Sequence, residues 1–397
     1  MKSKIIALAL FVITTAVVVF FPPLETTGAA TVPPQPNPGA NARPRIEVVF
    51  VLDTTGSMGG LIKAAKEKIW SIASSMATAR SAPEIKMGLV AYRDRGDAYV
   101  TRVVDLSDDL DSVYATLMDF RAAGGGDGPE SVNQALYEAV HSISWSQDQK
   151  AYKVVFLVGD APPHMDYLND VKYPQTLATA KHRGIVVNAI QAGNLNQTAA
   201  SWRQIAQLGA GRYFQVGQAG NAVAIATPYD RKLADLSARL DATRLSYGTP
   251  EQQLKQRRKN QATRKLRATA SVQSQARRAA FNVSKSGRIN RLGKGDLIDD
   301  IDSGRVELST VAPASLPQSL RAMAPVERQA VIKKKAELRK NLERQIRRQT
   351  AQRAAYLKQK VKALGGAKDS LDVKLYGAVR EQAASKGLVY EADAPRY

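Results

Sequence analysis

The chain has 397 residues, 44% of them hydrophobic, which allows a sizeable core and room for two domains, while 6% aromatic content argues against a second large core of equal quality. The absence of cysteine excludes disulfides, thiol catalysis and cysteine-based metal sites, and three scattered histidines leave little material for zinc sites or Ser-His-Asp chemistry. The net charge of +21 is uneven: residues 45–230 carry 17 basic and 19 acidic side chains, residues 231–365 carry 32 and 11, and such asymmetry points to two parts with different partners.

In chain order, Met1 to Lys4 and the 17-residue apolar run Ile5–Phe21 precede Pro22, Pro23 and the small residues Thr26 to Ala30. Residues 1–30 therefore read as a secretory signal segment cleaved after Ala30, or as an uncleaved membrane anchor over residues 5–21. Either way the remainder lies outside the cytoplasm: periplasmic, cell-surface or secreted. Residues 31–44, with Pro33, Pro34, Pro36, Pro38 and Pro44, read as an extended spacer.

A βα alternation then fills residues 45–230. Val48–Leu52 is apolar without alternation, as a strand buried on both faces of a parallel sheet requires. Leu61–Thr78 reads as a helix, Ile85–Tyr92 and Tyr99–Leu106 as strands, and Leu110–Arg121 and Ser131–Ser142 as helices. Val154–Val158, Val186–Gln191 and Arg212–Val216 are further strands, interleaved with helices over Thr176–Arg183 and Ser201–Gln207. The expected class is α/β: a mostly parallel sheet with helices on both faces. Trp70, Trp145 and Trp202 fall on or beside helices and read as packing residues.

Three acidic loops punctuate this pattern. Asp53 ends the first strand, where open α/β sheets bind ligands, and Asp53, Thr55 and Ser57 alternate so that their oxygens can point to one side. One carboxylate and two hydroxyls form a hard, all-oxygen donor set suited to Mg²⁺, Mn²⁺ or Ca²⁺ and ill suited to zinc or copper. The competing reading makes Ser57 the cap of the helix that follows. The second loop is Gly124-Gly125-Gly126-Asp127-Gly128-Pro129-Glu130; the third places Asp160 at the end of Val154–Val158.

With these motifs in this order, residues 44 to 240 resemble the von Willebrand factor A (vWA) family. Asp53, Thr55 and Ser57 match its Asp-x-Ser/Thr-x-Ser metal-ion-dependent adhesion site with one conservative change, and Asp160 matches the Asp that the family places after its fourth strand. The family's middle-loop Thr has no counterpart, so Asp127 or Glu130 must stand in, as in relatives with a Gly-Gly-Gly-Asp-x-Pro-Glu loop. The resemblance implies a Rossmann-like fold with Tyr99–Leu106 as a short antiparallel edge, and a bound divalent cation, Mg²⁺ first, with Mn²⁺ or Ca²⁺ as alternatives. It also implies Asp160 in the second shell or bound through water, and a protein ligand able to supply a carboxylate to the ion. The role expected is binding or adhesion rather than catalysis: no base is forced by spacing, and the glycine run lacks the Lys-Ser/Thr of a phosphate loop. The alternative roles are a docking subunit of a metal-dependent enzyme or complex, or a polyanion or cell-surface binder. Asp94, Asp97, Asp105 and Asp108 to Asp111 read as surface turns and helix starts, and His164 as a solvent-facing loop residue.

Residues 231–320 read as a basic, partly irregular segment whose first part, 231–285, is a weakly buried helix or partly disordered. The acidic cluster Asp296, Asp299, Asp300 and Asp302 lacks the spacing and closing Glu of an EF-hand. Residues 321–397 read as helical, with one long helix from Pro325 to Leu364. Its stripe of Val331, Leu338, Leu342, Ile346, Leu357, Val361 and Leu364 is broken by Thr350 and Arg353, which favours a helical hairpin or a docked helix over a two-stranded coiled coil. Residues 231–365 suit an anionic surface polymer or lipid headgroups, or a solvated scaffold; nucleic acid is disfavoured for want of interleaved aromatics and a known module.

Overall fold

The computed structural model describes residues 43–126, 128–219, 225–363 and 371–390. The leader, the proline-rich spacer, Asp127 and Leu364 lie outside the described residues. Six strands, β1 (Arg45–Asp53), β2 (Glu84–Tyr92), β3 (Thr101–Ser107), β4 (Tyr152–Gly159), β5 (Ile185–Ala192) and β6 (Ala210–Val216), form one sheet in the order β3-β2-β1-β4-β5-β6. Every neighbouring pair is parallel except β2 with β3, so the antiparallel edge falls where expected.

Strand alternation divides β1 between two cores. Ile46, Val48, Phe50 and Leu52 face one layer, with α1 (Gly59–Met76) and α2 (Leu110–Leu117). Val49 and Val51 face the other, with α3 (Val132–His141), α4 (Tyr173–His182) and α5 (Asn196–Leu208). Trp70, Trp145 and Trp202 are all buried in these layers. Two boundaries move by four residues or more. Helix α2 stops four residues early because the Lys66 amine takes the Met118 and Phe120 carbonyls, turning the chain into the glycine loop. Helix α5 starts five residues early, through a polar first turn that hydrophobic periodicity does not mark.

The basic half packs more closely than its composition suggests. It comprises α6 (Asp230–Asp241), α7 (Pro250–Thr269), α8 (Val272–Asn282), the short α9 (Arg288–Leu292), α10 (Leu297–Asp302) and α11 (Gln318–Arg321), then α12 (Pro325–Ala363) and α13 (Leu371–Ala384). The weak burial expected of residues 231–285 holds for α7, where only Gln256, Lys259, Thr263 and Leu266 are buried, but is corrected for α6 and α8 by a core of Leu233, Leu236, Leu240, Ala276, Ala279 and Val283 closed by Leu342 and Ile346 of α12. Small alanines permit that approach, so few large apolar side chains are needed. In α12 the buried stripe runs Ile332, Arg339, Leu342, Ile346, Arg353, Leu357, Val361. Arg353, one of the two residues that break it in sequence, is buried and donates to Asp230 at 2.7 Å, and Arg339, which the apolar pattern does not mark, is buried on Asp296 at 2.7 and 3.0 Å. The acidic cluster is likewise answered by cations, Asp299 by Arg288 and Arg305, and Asp302 by Lys340.

These helices join the first layer of the sheet. Phe281 of α8 packs on Trp70 at 5.6 Å, and α7 lies on α2. From α13, Gln382 exchanges hydrogen bonds with Asn188 and accepts from the Tyr152 hydroxyl. At the α2 contact Asp111, fully buried, receives both arms of Arg278 at 2.5 and 2.6 Å, with Lys259 and Arg244 at 3.6 and 3.7 Å. Asp111 lies in the first turn of α2, as expected of a helix start, but its expected surface position is corrected: it is buried, and its partners lie more than 130 residues downstream.

Candidate metal centre

The first loop is shaped by the end of β1. Beyond Asp53 the Thr54 amide and hydroxyl both donate to the Tyr92 carbonyl, at 2.9 and 2.8 Å, fixing the chain as it leaves the sheet. The Asp53 carboxylate accepts at one oxygen, Oδ1, from the Thr55 amide (2.9 Å) and the Thr55 hydroxyl (2.6 Å), and Ser57 Oγ lies 3.4 Å from Thr55 Oγ1. The three oxygen-bearing side chains thus gather on one side of the turn. Ser57 makes no side-chain cap to the helix that follows, so the capping alternative is not realised.

The second loop is zipped to the first. Gly56 donates to Gly124 O at 3.0 Å and Ala123 to Thr54 O at 3.1 Å. Gly124 and Gly125 adopt φ of 78° and 80°, a region open to glycine, and a Cβ on Gly125 would sit 3.2 Å from Glu130 Oε1 and 3.3 Å from Thr55 Cβ. Glu130, buried, is therefore close to the first loop, and its backbone bridges to Pro163 of the third. Asp160 accepts from Gln218 Nε2 at 2.6 Å, and the same amide lies 3.3 Å from Ser57 O. Gln218, just past β6, ties the first and third loops; its only mark in sequence is that position beyond a strand's carboxyl end.

The expected donors therefore fall into three groups. Asp53, Thr55 and Ser57 are directly linked, Glu130 and Asp160 border them, and Asp127 lies outside the described residues. Among the described residues no three acidic or imidazole side chains gather closely enough to cage an ion by themselves; of the six expected donors, two are the hydroxyls of Thr55 and Ser57.

Electrostatics single out Asp53. It is 1% exposed, and its Oδ2 has no hydrogen-bond partner among the described residues. Burial, with the Asp160 charge adding to it, pushes its carboxyl up to about 7 against the two Thr55 hydrogen bonds. The Tyr92 hydroxyl, buried and unpartnered among the described residues, is held well above its ordinary value by burial and then by Asp53, Glu130 and Asp160. Three carboxylates thus act on one point, and no cationic side chain is among the influences. A divalent cation fits this set: it would take the free Oδ2 and the two hydroxyls, all hard oxygen donors, and would neutralise the buried charge.

Two readings of the surrounding residues are corrected. His164 is buried, not solvent-facing: Nδ1 lies 2.8 Å from Asp166 Oδ1, Nε2 3.4 Å from Asp94 Oδ2, and the ring stacks on Tyr167. Asp94, expected at the surface, is buried and accepts from Ser131 Oγ (2.7 Å) and Tyr167 Oη (2.6 Å). Asp97 receives the Gly125 amide at 3.1 Å. The β2–β3 turn therefore holds the glycine loop and the third loop in place, a role carried by side chains from separate loops and invisible to local spacing.

Residues 47–228 match the family model of the von Willebrand factor A domain. A stretch of 119 residues is 27% identical to an ariadne-like RING finger protein of Acanthamoeba polyphaga mimivirus, and one of 121 residues is 28% identical to the alpha-protein kinase vwkA of Dictyostelium discoideum. Each alignment takes 30% of this chain and spans only 11% and 19% of those proteins. Among solved structures, a von Willebrand factor type A protein from Catenulispora acidiphila is similar at TM-score 0.34 and 19% identity, over 44% of this chain and 39% of that one. The SpRpn10 VWA domain is similar at TM-score 0.33 and 14% identity, over 44% and 88%. Proximal thread matrix protein 1 of the mussel byssus, with a zinc-occupied MIDAS motif, is similar at TM-score 0.34 and 16% identity, over 44% and 42%. The chain thus contains a von Willebrand factor A domain, of a family whose members generally mediate protein–protein interaction.

Proposed function

We propose that this von Willebrand factor A domain binds a divalent cation through Asp53, Thr55 and Ser57, and through it engages a protein partner outside the cytoplasm. Asp160 borders the ion or holds its waters, and Asp127 or Glu130 supplies the remaining donor of the middle loop. The observation that carries the reading is the buried Asp53 carboxylate, with an unpartnered Oδ2 and a pKa pushed up to about 7. A buried charge is costly unless answered, and here the surrounding groups add negative charge. Mg²⁺ is the ion proposed first, with Mn²⁺ or Ca²⁺ able to use the same oxygens. The ion supplies a positive centre on which a partner's carboxylate can complete the coordination shell; the domain acts as a binding module, without a catalytic base.

The test is thermal unfolding after EDTA treatment, with each ion returned in turn, on the wild type and Asp53→Ala. A ligand that binds only the native state raises the midpoint with concentration. A rise with Mg²⁺ that Asp53→Ala abolishes is expected; no rise with any of the three ions would remove the reading. A second role rests on a different observation: the surplus of 21 positive charges over residues 231–365 suits attachment to an anionic cell-surface polymer or membrane headgroups. Salt-dependent cosedimentation with anionic vesicles, unaffected by EDTA, is its signature.

A further inference from the structure

We propose that a cleft in the C-terminal half, between α8–α9, α10 and α12, is a binding site for a phosphate-bearing anion. The site is separate from the metal loop, and the proposal does not depend on it.

The cleft follows from helix periodicity. On α12, Arg339, Glu343 and Arg347 are spaced by four residues and so share a face. Opposite them the chain from the end of α8 through α9 presents Lys285, Arg288 and Arg291 at intervals of three. Between these walls lies an open cleft of about 290 Å³, with apolar contributions from Val283, Ile298 and Ala336. That volume lies at the lower end of the range for small-molecule sites.

Six of the lining residues are cationic and three are acidic. Each acid is already engaged: Asp299 by Arg288 and Arg305, Asp302 by Lys340, and Glu343 by Arg291 at 2.7 Å and Arg347 at 3.6 Å. Arg339, also lining the cleft, is held on Asp296. The surplus positive charge is therefore not neutralised from within. Lys285 is exposed and has no carboxylate partner among the described residues.

Arg291 is the informative residue. It is 6% exposed, yet only its Nη1 meets a carboxylate, and its Nε has no hydrogen-bond partner among the described residues. Its pKa is lowered, first by burial and further by neighbouring Arg339, with Glu343 opposing. Glu343 answers the Arg291 charge through Nη1, but the Nε donor stays unfilled and Arg339 adds a second positive charge nearby, an excess that a further anion in the cleft would offset. A phosphate group has several acceptor oxygens in a geometry that arginine forks match, and it carries the charge needed. Glu343, by holding Arg291 and Arg347 together, acts as a positioning residue.

The experiment is isothermal titration of the full protein in EDTA with inorganic pyrophosphate, so that no cation at Asp53 contributes. Saturable one-site binding is expected, weakened at least about ten-fold, or about 1.4 kcal/mol, in Lys285→Glu/Arg347→Glu. Both residues are exposed, so the fold should survive, and an unchanged circular dichroism melt checks this. The control Lys333→Glu/Lys334→Glu makes the same charge change elsewhere on α12 and should bind as the wild type. Absence of binding up to about 10 mM pyrophosphate, retention in the cleft variant, or equal loss in the control would overturn the proposal. Phosphatidylglycerol vesicles identify the source: a lipid headgroup gives cosedimentation lost in the cleft variant alone, whereas a free phosphorylated anion gives pyrophosphate binding with no such loss.

Discussion

Asp53 and Asp111 are both fully buried carboxylates, one in the loop after β1 and the other on the face of α2 that meets the C-terminal helices. Burial alone raises the pKa of either. At Asp111 the opposing charges of Arg278, Lys259 and Arg244, with the Arg278 hydrogen bonds, overcome that effect and hold the carboxyl well below its ordinary range. At Asp53 burial dominates, the Thr55 hydrogen bonds and the Asp160 backbone oppose it, the Asp160 charge adds repulsion, and the carboxyl rises to about 7. One of these charges is answered internally; the other has no cationic partner among the described residues, and on the proposed reading a divalent cation answers it. The difference separates a structural ion pair from a binding site more sharply than burial or acidity alone.

The largest expected effect lies at the answered charge. Asp111→Ala strands Arg278, which retains only Asp241 and Ser237, and should cost about 3–5 kcal/mol in urea unfolding. Replacing both partners, as in Asp111→Leu/Arg278→Met, should recover much of that loss, because a buried pair exchanged for apolar groups is often near neutral. A double variant no more stable than Asp111→Ala would show that the pair itself, rather than the stranded charge, holds the halves together.

The two acids should also have opposite signatures in pH. Asp53 has a folded pKa above its ordinary 3.8, so the folded state binds its proton more tightly. Its ionisation weakens the fold progressively as pH rises from about 4 to about 7, by about 2–4 kcal/mol without a cation. Asp111 has a folded value below 3.8, so its contribution is complete above about pH 4 and is lost only on further acidification. Melts in EDTA should show the neutral-side decline in the wild type and a flat profile over that window in Asp53→Asn. Mg²⁺ should reverse the decline with release of close to one proton at pH 6; a wild-type profile already flat in EDTA would contradict the assignment of Asp53 as an unanswered charge.

What local pattern could reveal divides along the same line. Asp53, Thr55 and Ser57 lie within five residues at a strand end, so chemistry and spacing expose them together. The sheet, too, is written in apolar runs such as Val48–Leu52 and Val154–Val158, long enough to mark strands buried on both faces. Asp111 reads as a helix start at the surface, although it is buried, because its partners Lys259 and Arg278 lie far along the chain. Arg353 reads as a break in a stripe, and Arg339 goes unmarked, because burial of an arginine depends on an acid supplied from elsewhere in the chain. His164 and Asp94 form their contact between two loops, and Gln218 reaches back from beyond β6. Local periodicity registers an element and its apolar face; it does not register which distant charge will answer a polar residue on that face.

A smaller effect tests how closely the metal loop is built. A Cβ at Gly159 would lie 2.4 Å from the Tyr92 hydroxyl and 3.0 Å from Asp53 Oδ2. Gly159→Ala should therefore cost about 1–3 kcal/mol by overpacking, and Tyr92→Phe should relieve part of it by removing the obstructing oxygen. Failure of that rescue, with normal stability of Tyr92→Phe alone, would place the obstruction at Asp53.

The smallest effect supplies the reference for the comparison. Lys255 and Glu251 of α7 form an i,i+4 pair at 3.0 Å with both side chains about three-quarters exposed. Water and salt screen such a pair, and ordering two long side chains offsets much of the attraction, so Lys255→Ala should change stability by no more than about 0.5 kcal/mol. The distance is similar to those around Asp111; only the surroundings differ. If Lys255→Ala and Asp111→Ala proved comparable in urea unfolding, burial would not be what makes the Asp111 cluster strong. The unpartnered oxygen of Asp53 would then lose its meaning as a site, since the same argument about unanswered buried charge underlies both.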